Sequence, residues 1–131
     1  MPFSDEALMQ RAQAARKRAY APYSKFHVGA ALRAKDGTVF EGVNVENASY
    51  GVGLCAERAA VVSAVTAGYR EFDAIAIAGP PETATVPCGA CRQFLNEFNP
   101  ELTVFYTEAG GAQRTTLDEL LPRAFGPQNL T

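Results

Sequence analysis

Residues 55–78 read CAERAAVVSAVTAGYREFDAIAIA, a stretch in which two different kinds of element follow one another. The segment Cys55 to Ala67 is rich in alanine and valine and is followed by Gly68. This pattern predicts a helix, because glycine is frequent just past helix ends. Asp73 to Ala78 is a short and nearly continuous apolar run, which is typical of a buried strand. The stretch therefore predicts a helix that leads into a core strand.

Segments on both sides continue the alternation of helices and strands. Val28 to Leu32 and Val39 to Val45 are β-like runs joined across Lys35-Asp36-Gly37, which predicts an antiparallel hairpin. The other predicted elements are a helix from a Ser4 cap to about Tyr20 ended by Pro22, a loop from Asn47 to Gly53, a helix from Cys88 to about Phe98, a strand from Leu102 to Tyr106 and a short helix from Leu117 to Leu121. This alternation predicts an α/β fold with a mixed sheet and helices packed on its faces.

Length and charge narrow the class of protein. The chain has 131 residues, which fits one domain over residues 1–131. Its formal net charge is -2, whereas a protein that grips a nucleic-acid polymer usually carries a basic stripe. The one basic cluster, Arg16-Lys17-Arg18, is typical of a solvated helix end. No secretory leader and no apolar run of about 20 residues is visible, so we expect a cytoplasmic protein without a membrane partner.

The three cysteines favour a metal site. An odd number of cysteines argues against a disulfide framework, and Cys88 and Cys91 form a Cys-x-x-Cys pair after Pro87. Residues three apart lie on neighbouring faces of a helix, so both sulfur atoms can point to one position. Cys55 and Glu57 begin the other predicted helix, where side chains lean over the helix N-terminus. Zinc is the ion that suits three thiolates.

Charge and the number of protein ligands distinguish a catalytic zinc site from a structural one. Three thiolates and Zn²⁺ sum to -1, and two helix N-termini of roughly +0.5 each offset most of that excess. Arg58 is a candidate donor of a hydrogen bond to a thiolate. Catalytic zinc keeps three protein ligands and an open position, whereas structural zinc takes four. A closed site would need His27, the sole histidine, as its fourth ligand and would leave Glu57 without a role. A redox Cys-x-x-Cys would leave both Cys55 and Glu57 without a role.

Several further motifs accompany the cysteines in a fixed order. They are YSKFHVGAAL (23–32), GVNVENASYG (42–51), CAERAA (55–60), PCGACRQFL (87–95) and LLPRAFGP (120–127). With them the chain resembles the small homotetrameric cytidine deaminases that act on free nucleosides. The resemblance implies a single-domain three-layer α-β-α sandwich with about five strands and one Zn²⁺ per subunit. It also implies hydrolysis of cytidine and 2′-deoxycytidine to uridine and 2′-deoxyuridine in pyrimidine salvage, with release of ammonia.

The resemblance also assigns roles to individual residues. Glu57 is the general acid and base that carries protons between water, the base and the leaving amine. Asn44 and Glu46, two apart in an extended run, face the same way and hold the ribose 3′-OH. The other implied roles are base stacking by Phe26, contact of the base O2 with the Ala56 N–H, contact of the amino group with the Pro87 carbonyl, support of the thiolates by Arg58 and Gln93, and completion of a neighbouring subunit's site by Tyr50 and Phe125.

Three rival functions remain open on the sequence. One is a deaminase of another cytosine-containing compound, such as an aminoacylnucleoside antibiotic or a nucleotide. Another is a non-catalytic zinc-binding module on the same fold, which predicts bound metal and no turnover. The third is a polynucleotide editor, against which the acidic balance of the chain argues.

Overall fold

The computed structural model describes residues 4–109 and 111–130, which form a five-stranded mixed sheet between helices. Its helices and strands, in chain order, are α1 (Asp5–Arg16), β1 (Gly29–Ala34), β2 (Val39–Val43), α2 (Ala56–Thr66), β3 (Phe72–Ala78), α3 (Gly89–Asn96), β4 (Thr103–Glu108), β5 (Gly111–Thr116) and α4 (Leu117–Leu120). Two short 3₁₀ turns cover Tyr50–Val52 and Pro127–Asn129. Among the described residues, no helix has the length and apolar character needed to cross a membrane.

The sheet has the strand order β2-β1-β3-β4-β5. β1 pairs antiparallel with both β2 and β3, and β4 pairs antiparallel with β5. The central pair, β3 and β4, is parallel, and α3 lies in the connection between these two strands. A parallel pair needs such a crossover, because the chain must return to the end of the sheet at which β3 began. The mixed sheet predicted from the sequence is therefore confirmed.

Alternation along β3 explains the three layers. Ala74, Ala76 and Ala78 belong to the core under α1, together with Leu8 and Met9 of that helix. Isoleucines at positions 75 and 77 point to the opposite face, into the core that α2 supplies. Successive strand residues face opposite sides of a sheet, so a strand covered on both faces is apolar throughout. The predicted three-layer α-β-α architecture is confirmed.

Two glycines bring the sheet into close contact with helix backbones. A Cβ atom on Gly42 of β2 would lie 2.4 Å from the carbonyl oxygen of Ala56 and 2.4 Å from the amide nitrogen of Ala60. A Cβ atom on Gly29 of β1 would lie 2.2 Å from the carbonyl oxygen of Ala12. These separations are far below van der Waals contact, so only glycine allows this spacing. Gly42 in particular fixes the distance between the sheet and the first turns of α2.

Several predicted boundaries were wrong, and backbone pairing explains two of them. α1 ends at Arg16 instead of about Tyr20, because Tyr20 donates its N–H to the Asn44 carbonyl (3.0 Å) and accepts from the Glu46 N–H (2.8 Å). β2 ends at Val43 instead of Val45, because residues 44–46 leave β1 and lie between Tyr20 and Leu54. β1 (Gly29–Ala34) and β4 (Thr103–Glu108) each begin one residue and end two residues later than predicted, and α3 ends at Asn96 instead of about Phe98.

The fifth strand has no hydrophobic signal in the sequence. β5 reads GAQRTT, and its first four residues are exposed. It is an edge strand, held by backbone pairing to β4 over its whole length, from Thr103 opposite Thr116 to Glu108 opposite Gly111. A strand formed by backbone hydrogen bonds and not by burial shows no apolar alternation. It therefore escaped prediction as an individual element, although the expected number of strands was correct.

Candidate active site

The three cysteines converge where α2 and α3 begin. Cys55 is the N-cap residue of α2, Cys88 is the N-cap residue of α3, and Cys91 lies in the first turn of α3. All three Sγ atoms lie within 4.8 Å of one another, and those of Cys88 and Cys91 are 3.5 Å apart. Zinc–sulfur bonds of about 2.3 Å separate the sulfur atoms of a tetrahedral site by about 3.8 Å. The donor set and its spacing therefore fit a zinc ion.

Without metal, the thiols of Cys55 and Cys91 differ in acidity. A hydrogen bond from the Cys91 thiol, aided by Arg58 and opposed by burial, lowers the pKa of Cys55 to about 5. The same hydrogen bond, together with burial, raises the pKa of Cys91 well above its usual range. Positive helix N-termini favour negative charge at this position. The cluster thus carries thiolate character before any ion binds.

His27 lies apart from the cysteine cluster. Its Nδ1 atom is 3.0 Å from the carbonyl oxygen of Lys25, in the loop before β1. Within the described part of the chain, the ligand atoms that lie close to one another at this position are the three sulfur atoms. A closed Cys₃His site is therefore not what the fold assembles, and one coordination position of a tetrahedral ion would be free.

Glu57 is a buried carboxyl group beside the cysteines. It is the second residue of α2, and only 5% of its surface is exposed. Burial, with the neighbouring charge of Cys55, raises the pKa of Glu57 to about 7. A carboxyl group whose pKa is near neutral can both accept and donate a proton at physiological pH. The environment of Glu57 thus suits acid–base chemistry.

Arg58 and Gln93 make different contacts. Nη2 of Arg58 donates to Sγ of Cys55 across 3.6 Å, while its buried Nε has no hydrogen-bond partner among residues 4–109 and 111–130. Nε2 of Gln93 donates to the carbonyl oxygen of Phe125 at 2.8 Å. Gln93 therefore ties α3 to the C-terminal segment, and its role toward the thiolates stays a prediction.

A cleft of about 510 Å³ opens beside Cys55. Its lining includes Asn44, Glu46 and Arg58, so the fold brings the predicted sugar-binding pair next to the predicted metal ligand. The rest of the lining is Tyr23, Ser24, Val45, Asn47, Tyr50, Gly53 and Leu54. Phe26, which is 39% exposed, and the buried Pro87 lie outside this lining. Ala56, the first residue of α2, has its backbone N–H in the turn where helix amides lack an intrahelical acceptor.

Two large aromatic side chains are exposed, Tyr50 at the cleft and Phe125 in the C-terminal segment. Tyr50 is 79% exposed, and its ring centroid is 6.0 Å from that of Tyr23. Phe125 is 59% exposed, and its backbone carbonyl accepts from Gln93. Their predicted place in a neighbouring subunit's site stays a prediction.

Tyr23 and Ser24 line the cleft, but the sequence did not predict a role for them. The backbone N–H groups of Tyr23 and Ser24 donate to Oε1 of Glu46 at 3.0 and 3.1 Å, and the Ser24 hydroxyl donates to its Oε2. Both residues occur in the motif 23–32, but nothing in their type or spacing places them against a glutamate 22 residues further on. Contacts made by backbone groups across a loop leave no signal in a sequence.

The protein-family match and the similar known proteins all belong to deaminases. Residues 3–107 match the model for the cytidine and deoxycytidylate deaminase zinc-binding region. A cytidine deaminase from Sporosarcina psychrophila is 46% identical over 128 residues, covering 96% of this chain and 94% of the relative. A blasticidin-S deaminase from Bacillus cereus is 36% identical over 107 residues, with 76% of each chain covered.

Solved structures agree with this assignment. The crystal structure of a cytidine deaminase from Burkholderia pseudomallei is 53% identical and superposes with a TM-score of 0.89, covering 94% of this chain and 100% of that one. A cytidine deaminase structure from Mycobacterium leprae is 40% identical with a TM-score of 0.80, covering 92% and 99% of the two chains. Together with a zinc-compatible cysteine cluster at two helix starts, these matches place the chain in the cytidine and deoxycytidylate deaminase zinc-binding family.

Proposed function

We propose that this protein hydrolyses the 4-amino group of free cytidine and 2′-deoxycytidine, giving uridine and 2′-deoxyuridine with release of ammonia in pyrimidine salvage. The observation that carries the proposal is a buried glutamate beside three converging sulfur atoms, next to a cleft lined by Asn44 and Glu46. The relatives from Sporosarcina psychrophila and Burkholderia pseudomallei named above are cytidine deaminases. We infer that the chain is organised as a single domain, 1–131, with one active site.

Cys55, Cys88 and Cys91 would hold the zinc ion. When bound by three protein ligands, zinc lowers the pKa of water enough to supply a nucleophile near neutral pH. The sulfur geometry supports this assignment, because the three Sγ atoms lie within 4.8 Å of one another. Arg58 reduces the excess negative charge of three thiolates by donating to Cys55. Gln93 is a second supporting residue in the proposal.

Glu57 carries the protons of the reaction. It takes a proton from the attacking water as the oxygen bonds to C4, and it delivers that proton to N3 of the ring. It then takes the second proton of the same water and passes it to the amine, which leaves as ammonia when the C4–N bond breaks. The product keeps one proton on N3 and a carbonyl at C4, so atoms and charges balance. A single carboxyl group serves each transfer in turn.

The sugar and base contacts define the substrate class. Glu46 accepts from the 3′-OH and Asn44 completes that contact, while Phe26 stacks on the base. The Ala56 N–H donates to the base O2, and the Pro87 carbonyl accepts from the amino group. A carboxylate repels a 3′-phosphate, which offers no proton. Free nucleosides are therefore substrates and polynucleotides are not, in agreement with the net charge of -2.

The active form is a homotetramer with sites completed by neighbouring subunits. Tyr50 and Phe125 are the residues that reach the neighbouring site, and the support for this is that both side chains are more than half exposed in the single chain. If sites are shared, a mixture of Glu57→Gln and Phe125→Ala proteins regains activity that neither has alone. Light scattering gives the mass of the assembly. An active monomer at micromolar concentration would exclude shared sites.

The enzyme works in the cytoplasm in this proposal. Three free cysteines support that location, because a reducing compartment keeps thiols available for metal. Fractionation of cells that express the chain, with marker proteins for each compartment, tests it.

A substrate panel tests the proposed activity. Purified protein with its zinc content measured is given cytidine, 2′-deoxycytidine, CMP, adenosine and blasticidin S in parallel, and ammonia release is followed. We expect turnover of the first two substrates. Preferred turnover of blasticidin S would favour the aminoacylnucleoside rival, for which the Bacillus cereus relative is the specific reason. Bound zinc without turnover of any substrate would favour a non-catalytic zinc module.

A further inference from the structure

The loop Tyr23–Val28 is fastened to the segment that carries Asn44 and Glu46. Glu46 accepts the backbone N–H groups of Tyr23 and Ser24 on Oε1 at 3.0 and 3.1 Å. The Ser24 hydroxyl donates to Oε2 of the same carboxylate. Asn44 accepts from the Val28 N–H at 2.9 Å and donates to the Phe26 carbonyl at 2.8 Å. The two proposed sugar-binding side chains therefore already hold the loop.

The hydrogen-bonding capacity that remains on Glu46 is small. A carboxylate has about four lone-pair positions. Two positions on Oε1 are used by backbone N–H groups, and one on Oε2 is used by the Ser24 hydroxyl. One acceptor position on Oε2 is left for a group in the cleft. By the same count, Asn44 keeps one N–H and one lone pair. A single hydroxyl group that donates to Glu46 and accepts from the Asn44 N–H uses two of these three positions and leaves one lone pair on Asn44.

Ser24 fixes the direction of the acceptor position that remains on Oε2 of Glu46. Its Oγ atom accepts the Phe26 N–H at 3.0 Å, so the hydroxyl proton is directed toward Glu46. The same oxygen therefore links the backbone of the proposed base-stacking residue to the proposed sugar-binding carboxylate. Hydrogen bonds from Ser24, its hydroxyl foremost, hold the pKa of Glu46 below its usual range and keep the group an acceptor.

The backbone at Lys25 adds a second observation. Lys25 has φ 62°, in the left-handed region that lysine rarely adopts. Its N–H donates to the Ala21 carbonyl at 3.0 Å, which closes the turn. Residues held in such conformations are strained and persist where surrounding contacts fix them. Here the bonds of Ser24 on one side of Lys25 and of Asn44 on the other side supply that constraint.

We propose that Ser24 is a positioning residue for recognition of the sugar hydroxyl: its own hydroxyl fixes the Glu46 carboxylate so that one acceptor position faces a donor in the cleft. Ser24 touches no reacting atom in this arrangement and acts through Glu46. The inference rests on the proposed function, because it assumes that Glu46 contacts the 3′-OH of a nucleoside. It predicts a specific loss of discrimination between substrates with and without that hydroxyl.

The test compares cytidine with 3′-deoxycytidine in the zinc-loaded enzyme. Wild type prefers cytidine, and Ser24→Ala lowers kcat/KM for cytidine by about tenfold, mainly through KM, because a hydrogen bond to a charged group is lost. Turnover of 3′-deoxycytidine stays within about twofold of wild type, since that substrate never used the contact. Ser24→Thr keeps a hydroxyl and restores the preference. In a Glu46→Gln background, Ser24→Ala changes the preference by less than about twofold.

Ser63→Ala is the matched control, because it removes an exposed serine hydroxyl on α2 that has no hydrogen-bond partner in the described structure. It should leave the substrate preference unchanged. Should Ser24→Ala unfold, Ser24→Cys keeps the volume with a weaker donor and takes its place. Equal losses on both substrates, or an unchanged preference, would overturn the role of Ser24 alone. Zinc-loaded wild type that fails to deaminate cytidine would instead contradict the proposed function.

Discussion

Arg58 donates from Nη2 to the Sγ atom of Cys55 across 3.6 Å, three residues along the first turn of α2. The positively charged Arg58 side chain therefore lies beside the Cys55 thiolate, although arginine does not bind the metal. A site of three thiolates and one divalent ion has one negative charge in excess, and both helix N-termini together with Arg58 reduce it. The charge balance of the site therefore depends on a residue outside the proposed ligand set.

Removing this cation should weaken zinc binding. Arg58→Gln loses the charge and shortens the reach to Cys55, so we expect zinc affinity to fall by about 10- to 100-fold, as is usual for residues that support metal ligands. Competition with a chromophoric chelator measures the affinity. Arg70→Gln is the control, because the hydrogen bonds described for Arg70 go to the backbone carbonyls of Val65, near the end of α2, and Tyr69, just beyond it. An affinity equal to wild type in Arg58→Gln would show that the contact with Cys55 is incidental.

Glu57→Gln should separate metal binding from turnover. The substitution keeps the shape of the side chain and removes its ability to carry a proton, so zinc content and fold persist. The turnover number should fall by several orders of magnitude, at or beyond the upper end of the roughly 10²- to 10⁴-fold that a positioned acid–base group contributes. Zinc analysis and initial rates on cytidine measure both properties. Glu97→Gln, an exposed position at the end of α3, should leave both unchanged. Near-wild-type turnover in zinc-loaded Glu57→Gln would rule out the assignment.

The cysteines should differ in their effect on the metal-free protein. Cys88→Ser and Cys91→Ser should both lose zinc and unfold at a lower temperature than zinc-loaded wild type, because metal binding is coupled to folding. Cys91 is 0% exposed, whereas Cys88 is exposed. The C–O bond of serine is shorter than the C–S bond of cysteine, so a buried hydroxyl at position 91 makes poorer hydrogen bonds to the sulfur atoms of Cys55 and Cys88, and a poorly bonded buried hydroxyl costs about 1–3 kcal/mol. With a chelator present, Cys91→Ser should therefore be less stable than Cys88→Ser by about that amount. Equal stabilities in chelator would contradict this reasoning.

The cysteine cluster was predictable because its signals are local. Each cysteine group stands at a helix start, and Cys88 and Cys91 are three residues apart, so spacing alone brings their sulfur atoms together. The run at Asp73 to Ala78 predicted β3 to within one residue, because burial on both faces makes a strand apolar throughout. Local periodicity and spacing therefore account for the core strand and for the pairing of Cys88 with Cys91, whereas Cys55 joins them because the fold brings the starts of α2 and α3 together.

Other features depend on contacts between distant segments. β5 has no apolar pattern, and the early end of α1 follows from pairing of Tyr20 with residues 44–46. The three hydrogen bonds that Glu46 accepts come from Tyr23 and Ser24, and two of them are from backbone groups. Backbone donors are identical in every residue except proline, so residue type cannot reveal them. Folding of the whole chain is needed to bring them together.

Gly42 should be intolerant of any side chain. A Cβ atom there would meet the backbone of Ala56 and Ala60 at 2.4 Å, and a helix backbone cannot move aside as a flexible side chain can. Gly42→Ala should lower the free energy of unfolding by about 3 kcal/mol and the midpoint by roughly 10 °C. Because α2 would shift away from the sheet, zinc affinity should fall as well. Gly51→Ala, where a Cβ atom meets nothing within 4 Å, is the matched control for thermal unfolding. Equal midpoints for the two variants would disprove the close packing.

Acid should remove the stabilisation that Glu41 supplies. Burial acts to raise the pKa of this glutamate, but hydrogen bonds and charges from Arg11 and Arg18 outweigh burial and hold the pKa below its ordinary value of 4.5. The folded state therefore binds this proton less readily than the unfolded state. Its contribution is complete above the ordinary value and disappears as the pH falls through the lower, folded value.

Glu41→Gln tests whether the stabilisation by Glu41 decreases as the pH falls. We expect it to lower the free energy of unfolding by about 1 kcal/mol at neutral pH, the size measured for partly exposed ion pairs. The difference from wild type should stay constant down to about pH 5 and shrink below it, where the wild-type carboxylate becomes protonated. Urea unfolding across this pH range measures it. Glu71→Gln, whose partner Lys35 lies 3.3 Å away in a largely exposed pair, should show almost no difference at any pH. A Glu41→Gln difference that grows as the pH falls would reverse the sign and exclude a lowered pKa for Glu41 in the folded state.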